Sequence, residues 1–526
     1  MTELPRGWIN TRLSEICAIN PRVDKATIEP ASVVSFVPMT AVEAETGKID
    51  VSETREFETV KRKGYTPFQK NDILFAKITP CMENGKMAIV PDLASTYGFG
   101  STEFHVLRPH EDVDPRFIYY AVSNRTFRFH AEHNMTGAVG QKRVPAAVFK
   151  EHEIGLPPPN EQLRIGAKID ELFSELDEAV ARLKQARTQL AVYRQSVLRH
   201  AFEGKLTAQW RAENKDKLET PEQLLARITR AREARYEQQL EEWQGAIQEW
   251  EENGKPGRRP ARPRTPNSVS TMTEEELAHL KSLPRGWLWL TAESVGIVQL
   301  GRQRSPRNRS KDYPTKYIRA ANITEKGLDL DDVLDMNFLP HELSAYRLEK
   351  GDLVLSEASG SAKQVGKPAI WDDQIPNCCF QNTVIRHRLY CRDDAIYLLW
   401  LYRFLYVSGK FARIAGGVGI NHLSAFKFAQ IALPLCSVVE QQEIVRLLEE
   451  RFRAIECRER EIDLSLRQTE MLRQAILKRA YSGHLVAQDP NDEPASVLLD
   501  RIKVERMQKA KSRIVKRRTR KKRATE

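Results

Sequence analysis

Polar and cationic side chains are concentrated in loops that follow β-type runs in both halves of the 526-residue chain. The first half contains Lys77, Thr79, Asn84, Lys86, Ser101, Thr102, Gln141, Lys142 and Arg143 in such loops. The second half contains Arg302, Gln303, Arg304, Ser359, Ser361, Lys363, Gln381, Asn382, Asn421 and His422. Arg, Lys, Gln and Asn form paired hydrogen bonds with base edges, whereas Ser and Thr suit phosphates. A single polar loop is usually only solvated, so it is the recurrence in both halves that favours a nucleic-acid interface.

Catalytic and cofactor motifs do not appear in the sequence. Gly360–Pro368 has five residues between its glycines and a proline after its lysine, so it does not match a phosphate-binding Walker loop. Tyr97–Ser101 lacks the GxGxxG spacing of a cofactor loop, and we interpret His130 and His133 as surface residues of a helix. Seven scattered cysteines without a CxxC pair indicate reduced thiols rather than zinc ligands or disulfides. We therefore expect this chain to bind no metal or cofactor and to catalyse no reaction.

The sequence repeats itself at a long and nearly constant interval. "LPRGW" at Leu4–Trp8 recurs at Leu283–Trp287, 279 residues later. The same interval separates "EQLRIGAKI" from "EQQEIVRLL", "LRHAFEGKLTAQ" from "LKRAYSGHLVAQ", and "GAVG" from "GGVG". Farther on, "LLARI" at Leu224 matches "LLDRI" at Leu498 at an interval of 274. A period this long indicates tandem duplication of a domain with its tail, and two such copies can fold as a pseudo-twofold object.

Each copy begins with a domain of the α+β class. Short β-rich runs such as "DILFAKI" from Asp72 and "MAIVP" from Met87 alternate with turn signals, and "ENGKM" between them predicts a hairpin. "PRFIYYAVSN" from Pro115 and "AIYLLWLYRFLY" from Ala395 predict helices. We place the two domains at residues 1–159 and 283–437.

A long helix follows each domain, at residues 160–204 and 438–485. In the first helix, apolar residues recur at alternating steps of three and four, which is a heptad pattern. The predicted seam comprises Ile169, Leu176, Leu183 and Leu190 in the first helix and Leu448, Ile455, Ile462 and Leu472 in the second. Such a stripe needs a partner, so we expect the helices to pair with each other. The alternative is that each helix packs on its own domain.

Two further segments differ in composition from the rest. Residues 205–282 begin with an amphipathic stretch and continue with "GKPGRRPARPRTPNSVS", which predicts a helix and then a flexible or extended linker. Residues 486–526 form a basic tail: Lys503–Glu526 contains twelve Lys or Arg and two Glu, so it carries +10 of the net charge of +11. The run at Lys516–Arg523 could hold phosphates without sequence preference, and the alternative is a solvated, disordered end.

The repeat endings carry a family resemblance. "GLPPPNEQLRI" with "LRHAFEGKL", and "ALPLCSVVEQQEI" with "LKRAYSGHL", closely resemble the DNA-specificity (S) subunits of type I restriction–modification systems. "KNDILFAKITPCMENGKMA", "STEFHVLRP" and "EKGDLVLSEASGSAKQVGKPAIW" resemble segments of that family's two target-recognition domains. The resemblance covers nearly the whole chain. The sequence departs from the family at "LCSVVEQ", where two extra residues precede Glu-Gln, and at residues 205–280, which are longer than the family needs.

The resemblance implies two α/β target-recognition domains, related by a pseudo-twofold axis and joined by two long antiparallel coiled-coil helices. Each domain would read one half of an asymmetric double-stranded DNA site, and the helices would fix the spacing. The chain itself would be non-catalytic. It would dock two methyltransferase subunits that use S-adenosylmethionine and, through them, ATP- and Mg²⁺-dependent motor–nuclease subunits of a restriction system that defends against foreign DNA.

The sequence leaves two other functions open. One is a stand-alone DNA-binding regulator with an internal coiled coil, and the other is a nuclease or methyltransferase that acts alone. The absent cofactor and metal motifs argue against the enzyme. We expect a cytoplasmic protein, because the sequence shows neither a run of about 18 apolar residues nor a secretory signal.

Overall fold

The computed structural model describes residues 4–138, 140–255, 259–263, 265, 272–303, 312–359, 361, 364–416 and 421–523, without the side chains of residues 359, 510 and 512–523. The backbone divides into two units. The first unit comprises Met1–Lys184 and Ile462–Glu526, and the second comprises Gln185–Glu461. Neither unit is one copy of the repeat, because each combines the domain of one copy with the tail of the other.

Strands and short helices alternate in the first domain, which confirms the α+β prediction. The strands are β1 (Ile9–Arg12), β2 (Cys17–Ile19), β3 (Val33–Val37), β4 (Thr54–Glu56), β5 (Thr66–Phe68), β6 (Ile73–Ala76), β7 (Met87–Ile89), β8 (Gly98–Gly100), β9 (Phe104–Pro109) and β10 (Glu153–Leu156). The helices are α1 (Leu13–Ile16), α2 (Phe57–Lys61), α3 (Pro115–Ser123), α4 (Arg125–His133) and α5 (Ala146–Glu151). The predicted helix at Pro115 is confirmed, with the Asp114 side chain accepting from the Arg116 amide at its start.

β6 is an inner strand of one of the sheets in the first domain. One sheet has the order β2–β9–β6–β7 and another the order β4–β3–β8–β5, while β1 pairs with β10. β6 is buried along its length and pairs antiparallel with both neighbours, so Phe75 lies opposite His105 on β9 and Met87 on β7. The predicted pairing of the "DILFAKI" and "MAIVP" runs is therefore confirmed. The residues that follow β6 leave the sheet from this central position.

Helices connect the two domains along the chain. The first long helix is α6 (Pro159–Phe202), followed by α7 (Ala208–Glu213), α8 (Pro221–Glu252) and α9 (Glu274–Ala278). α6 ends before Gly204, which has a φ of +68°. Only glycine adopts this left-handed conformation without strain, so the helix ends two residues earlier than the predicted 204.

The second domain repeats the layout of the first. Its strands are β11 (Leu288–Thr291), β12 (Gly296–Leu300), β13 (Pro314–Ile318), β14 (Ile323–Thr324), β15 (Gly327–Leu328), β16 (Leu334–Asn337), β17 (Leu353–Ser356), β18 (Ala358–Ser359), β19 (Pro368–Ile370), β20 (Cys379–Phe380), β21 (Val384–Leu389), β22 (Asn421–His422) and β23 (Ala432–Leu435). Its helices are α10 (Ala292–Val295), α11 (Pro340–Tyr346), α12 (Ala395–Val407), α13 (Lys410–Ile414) and α14 (Ala425–Ala429). The sheet β12–β21–β17–β19 corresponds to β2–β9–β6–β7, with β17 in the place of β6. The helix predicted at Ala395 is confirmed as α12.

The chain closes with two more helices. These are α15 (Val438–Tyr481), which ends before Gly483 rather than at the predicted residue 485, and α16 (Ala495–Arg523). The start of α16 is anchored, because Leu498, Leu499 and Ile502 are buried in the core of the first unit. The two alternatives given for Lys516–Arg523 concern side chains outside the described part of the chain. Among the described residues, every helix is too short or too polar to span a membrane.

The core of each unit includes the long helices. In the first unit, Ile165 and Ile169 of α6 share a cluster with Ile476 and Ala480 of α15. In the second unit, Val197 and Phe202 of α6 share a cluster with residues of α15 that include Leu448. The long helices are therefore held at their ends by the domains.

The residues of the predicted seam are buried or half-buried in all positions but one. Ile169, Leu448, Ile455 and Ile462 are buried, and Leu176, Leu183 and Leu190 are half-buried. Leu472 is 49% exposed, so its place in the predicted seam is wrong. Arg473 is turned inward instead, with its guanidinium 4.8 Å from the Phe173 ring centre and in an ion pair with Asp177. Arg473 is charged, so a seam predicted from apolar residue types did not include it.

Candidate nucleic-acid interface

Three segments of the first domain meet where β6 ends. They are Lys77–Thr79 after β6, Ser101–Glu103 before β9, and Gln141–Arg143. The Lys77 amide donates to the Glu103 carbonyl (2.9 Å), the Val144 amide donates to the Lys77 carbonyl (2.9 Å), and the Thr79 amide donates to the Lys142 carbonyl (3.1 Å). Seven of the nine residues predicted in this half thus belong to one backbone cluster.

Ionic contacts fix two of the side chains in this cluster. Arg143 donates from Nε and Nη2 to the two carboxylate oxygens of Glu103, both at 2.9 Å. These bonds lower the pKa of Glu103 below its usual value, so the carboxylate stays charged. The Lys77 amine donates to the Thr102 carbonyl at 2.6 Å. Arg143 remains 44% exposed, so its guanidinium is oriented by Glu103 and is still accessible to a ligand.

The remaining residues of the cluster differ in accessibility. Gln141, Lys142 and Thr102 are exposed, while Ser101 is half-buried and its hydroxyl accepts from the Glu103 amide at 3.2 Å. The Thr79 hydroxyl is buried and makes no hydrogen bond within the described part of the chain. Exposed amide and ammonium groups beside an oriented guanidinium form a surface that can donate to base edges and phosphates.

Two predicted residues lie elsewhere in the first domain. Asn84 and Lys86 belong to the loop between β6 and β7, and Asn84 is exposed. The Lys86 amine donates to the Met39 carbonyl at 3.1 Å. This contact ties Lys86 to the fold, and the structure does not bring it into the three-segment cluster.

The second domain builds the same cluster from equivalent segments. These are Glu357–Ser359 after β17, Gln381–Thr383 before β21, and Asn421–His422 in β22. The Glu357 amide donates to the Thr383 carbonyl (2.7 Å), as Lys77 does to Glu103, and the Leu423 amide donates to the Glu357 carbonyl (2.8 Å), as Val144 does to Lys77. The predicted residues Gln381, Asn382, Asn421 and His422 are thereby brought together.

The second cluster differs in charge from the first. Glu357 stands where the first domain has Lys77, and its side chain is 11% exposed. Its two carboxylate oxygens lie 3.1 and 3.2 Å from Nδ1 of His422, whose side chain is 50% exposed. This carboxylate can only accept hydrogen bonds, whereas the first cluster presents an excess of donors.

Arg302 is oriented inward, contrary to the prediction that it contacts a ligand. Its side chain is 13% exposed and forms an ion pair with Glu342 (Nη2–Oε2, 2.8 Å) beside the Phe338 ring. Its backbone holds the cluster together, because its carbonyl accepts from the Asn382 amide at 3.0 Å. The Glu342 carboxylate and the Phe338 ring compensate the Arg302 guanidinium for lost contact with water, and spacing along the chain did not reveal these two partners.

The other predicted residues of the second domain are described only in part. Gln303 and Ser361 are exposed. Arg304, Lys363 and the Ser359 side chain lie outside the described residues.

Glu103 and Glu357 are the site residues that the sequence reading missed. Donor residue types were the expected base contacts, whereas a carboxylate is acceptor-only. The signal was nevertheless available, because aligning "NDILFAKI" with "GDLVLSEA" puts Lys77 against Glu357.

His105 is a buried histidine behind the first cluster, and His387 is a buried histidine on β21 of the second domain. His105 Nε2 lies 2.7 Å from the Val144 carbonyl, next to Arg143, and burial lowers the pKa of His105. His387 contacts the Tyr402 hydroxyl (2.7 Å) and the Ala292 carbonyl (3.0 Å), and burial lowers its pKa to about 4. Both rings are therefore neutral at pH 7 and act as hydrogen-bonded parts of the core.

The sequence is similar to those of known proteins. Residues 5–186 match the family model described as the type I restriction modification DNA specificity domain. The chain is 27% identical over 469 residues to the EcoAI specificity subunit from Escherichia coli, covering 85% of this chain and 78% of that protein. It is 24% identical over 533 residues to the EcoKI specificity subunit from Escherichia coli strain K12, covering 96% of each. The EcoEI specificity subunit from Escherichia coli is 37% identical over 196 residues, which are 37% of this chain and 32% of that protein.

Two solved structures share the fold. A chain from a study of complex assembly and conformational transition in the type I R-M system has a TM-score of 0.63 and 18% identity, covering 92% of this chain and 100% of that chain. The HsdS subunit from Thermoanaerobacter tengcongensis has a TM-score of 0.54 and 18% identity, covering 92% of this chain and 98% of that chain.

Proposed function

Because the chain belongs to the DNA-specificity subunits of type I restriction–modification systems, we propose that each of its two domains reads one half of an asymmetric double-stranded DNA target. The side chains that would contact DNA are those of the two clusters. The exposed Gln141, Lys142 and Arg143 would serve the first half-site, and Gln381, Asn382 and His422 the second.

One observation carries this proposal: the same backbone cluster presents opposite charge in the two domains. Lys77 and Arg143 are cationic donors that suit guanine O6 and N7, whereas Glu357 can accept a hydrogen bond from cytosine N4. Unlike clusters prefer unlike bases, so the two half-sites differ. A true homodimer would read a palindrome, and tandem duplication removes that constraint.

The long helices would set the distance between the half-sites. In the first unit Asp177 of α6 bonds Arg473 of α15, and in the second unit Arg194 of α6 bonds Glu459 of α15 at 3.1 Å. Higher numbers on α6 meet lower numbers on α15, which supports an antiparallel pair. A helix of 44 residues is about 66 Å long, and half-sites one DNA turn apart are separated by about 34–36 Å. The helices are therefore long enough to act as a ruler.

The chemistry of modification and cleavage would belong to partner subunits. We expect two methyltransferase subunits to dock on this chain and to supply S-adenosylmethionine-dependent adenine methylation. Motor–nuclease subunits that use ATP and Mg²⁺ would join through them. The chain's own contribution is recognition and positioning, and it binds none of these cofactors.

Reconstitution with the cognate methyltransferase subunit tests the function. The complex should methylate adenines in one bipartite sequence, and this chain alone should neither methylate nor cut DNA. Replacing residues 1–159 with the first domain of another family member should change one half of that sequence while the other half and the spacing stay fixed. A chain that never co-purifies with a methyltransferase and binds DNA alone would favour a stand-alone regulator. A domain replacement that changes both halves of the methylated sequence would exclude the proposal that each domain reads one half.

A further inference from the structure

A helical arm follows each long helix, and the two arms dock in the same way. The first arm comprises residues 219–265, with α8 and the segment after it, and the second arm comprises residues 493–523, with α16. In the second unit, "LLARI" buries Leu224 and Ile228 against the second domain. In the first unit, "LLDRI" buries Leu498 and Ile502 against the first domain.

Matching ion pairs lock both arms. Arg227 of the first arm pairs with a glutamate eight residues before it and with Asp394 of the second domain (Nη2–Oδ1, 3.4 Å). Arg501 of the second arm likewise pairs with a glutamate eight residues before it and with Asp112 of the first domain (Nε–Oδ2, 3.3 Å). The arms are therefore duplicated structures, and they differ in the charge of the residues beyond these anchoring contacts.

The first arm places its basic residues against its own acidic helix. Glu237–Glu252 contains six Glu and no Lys or Arg, whereas Lys255–Thr265 contains five Lys or Arg and no acid. The second segment returns along the first: Trp243 donates from Nε1 to the Pro260 carbonyl at 3.1 Å, and the Arg262 guanidinium lies 5.8 Å from the Trp243 ring centre. The described part of the predicted linker is thus held to the helix. The positive charge of Lys255–Thr265 therefore offsets the negative charge of Glu237–Glu252.

The second arm lacks such a counter-charge. Lys503–Arg523 contains twelve Lys or Arg and a single acid, Glu505. That acid is engaged near the domain surface, where it lies 3.2 Å from Nε2 of His110 and 3.3 Å from the Lys509 amine. Arg506 fixes the helix to the first domain by donating to the Ser14 carbonyl at 2.7 Å. A strongly cationic helix about 30 Å long therefore starts from the surface of one recognition domain.

We propose that the second arm binds the phosphate backbone of DNA beside the half-site read by the first domain, without reading bases, and that the first arm does not. This inference rests on the proposed function. Duplex DNA presents one negative charge per about 1.7 Å of its axis. This helix carries one net positive charge per about 3 Å, a density of the same order and opposite sign. A membrane surface fits less well, because Lys509–Arg523 contains only three apolar residues, Ala510, Ile514 and Val515, and so lacks a wide apolar face.

The test compares matched variants of the two arms in the methyltransferase-bound complex. One variant changes four arginines of the second arm, and the control changes four arginines of the first arm. The substitutions are Arg517→Gln, Arg518→Gln, Arg520→Gln and Arg523→Gln against Arg258→Gln, Arg259→Gln, Arg262→Gln and Arg264→Gln. Glutamine is a good helix former, so the second arm should stay helical, which circular dichroism checks. The measurement is the salt dependence of Kd for target and non-target duplexes.

The second-arm variant should reduce the slope of log K against log salt by about 2–4, since each lost phosphate contact contributes about 0.9. The loss should be equal for target and non-target DNA, and the methylated sequence should be unchanged. The control should leave the slope unchanged within about 0.5. An unchanged slope in the second-arm variant, an equal loss in the control, or weaker methyltransferase binding in place of weaker DNA binding would each overturn the inference. If the wild-type complex methylates no bipartite site, the proposed function itself fails, whatever the arms do.

Discussion

At the scale of residues, the two clusters use one backbone position for opposite chemistry. Lys77 and Glu357 each leave the central strand of a sheet, and each accepts the same backbone hydrogen bond from the third segment. The Lys77 amine is held by the Thr102 carbonyl, and the Glu357 carboxylate is paired with His422. Since side chains at base edges determine sequence preference, this position should influence specificity in both half-sites.

We expect Glu357→Gln to change the recognised bases in the second half-site only. The amide adds donors where the carboxylate only accepts, so discrimination at one base pair should fall by about 1–3 kcal/mol. Genome-wide mapping of methylated adenine measures the outcome. Lys77→Gln is the matched control and should alter the first half-site only. A change in both halves by either substitution would contradict the assignment.

His387 should make stability depend on pH. Burial lowers its pKa to about 4, whereas the unfolded side chain has a pKa of about 6.5. As the pH falls below about 6.5, the unfolded chain binds a proton that the folded chain refuses, so the free energy of unfolding drops, by about 3 kcal/mol in total by pH 4. Denaturant unfolding at several pH values measures this loss. His387→Gln should flatten the dependence across that window, and an equally steep dependence in the variant would count against His387 as the cause.

At the scale of elements, the long helices combine an apolar stripe with ionic contacts. Leu183 and Leu190 are half-buried, while Arg473 and Arg194 occupy inward positions and bond acids of the other helix. The first unit and the second unit each contain such contacts. This mixture explains why apolar residue type alone did not identify every inward position of α15.

We expect Leu183→Asp to destabilise the helix pair and Leu472→Asp to be nearly neutral. An aspartate at the half-buried Leu183 leaves a charge without a partner in an apolar contact, at a cost of about 3 kcal/mol. Leu472 is 49% exposed, so the same substitution there should cost under about 0.5 kcal/mol. Thermal unfolding and methyltransferase docking report the effect. Equal losses for the two variants would show that the inward face has been assigned wrongly.

At the scale of the whole molecule, the same tryptophan–glutamate hydrogen bond joins a domain to its long helix in both units. In the first unit Trp8 donates from Nε1 to Glu161 (3.1 Å), and in the second unit Trp287 donates to Glu440 (3.0 Å). The tryptophans are the last residues of the two "LPRGW" motifs. The repeated pentapeptide therefore locks the start of each domain to the start of the long helix that follows it.

Glu440 should contribute more to stability than its counterpart Glu161. Besides Trp287, it accepts from the Thr207 hydroxyl (2.7 Å) and from Arg211 Nε (2.8 Å), both in the tail of the first copy. Glu440→Ala leaves a half-buried guanidinium unpaired and should cost the second unit about 3–5 kcal/mol. Hydrogen exchange resolved by peptide should show the loss in residues 185–461 and little change in residues 1–184. An equal loss of protection from hydrogen exchange in both units would show that Glu440 does not stabilise the second unit separately from the first.

Much of the fold could be predicted from the sequence because its signals are local or repeated. The 279-residue interval revealed the duplication, the heptad steps revealed the long helices, and alternating β-runs revealed the α+β domains. The segments of the clusters were also found, since Ser101, Gln141, Gln381 and Asn421 carry side chains suited to DNA in both copies. These inferences need only residue type and spacing along the chain.

Only the tertiary structure decided which of those side chains lie exposed in the two clusters. Arg302 and Lys86 are cationic in sequence, yet a carboxylate–aromatic pocket and a backbone carbonyl take them into the fold. Glu357 entered the site because strands far apart in sequence place it beside His422. The basic tail became an anchored helix because its first turns meet the core of the domain at the other end of the chain. Whether a side chain is more stable in the fold or in solvent depends on contacts with residues distant in sequence. The spacing of residues along the chain does not encode which of those contacts form.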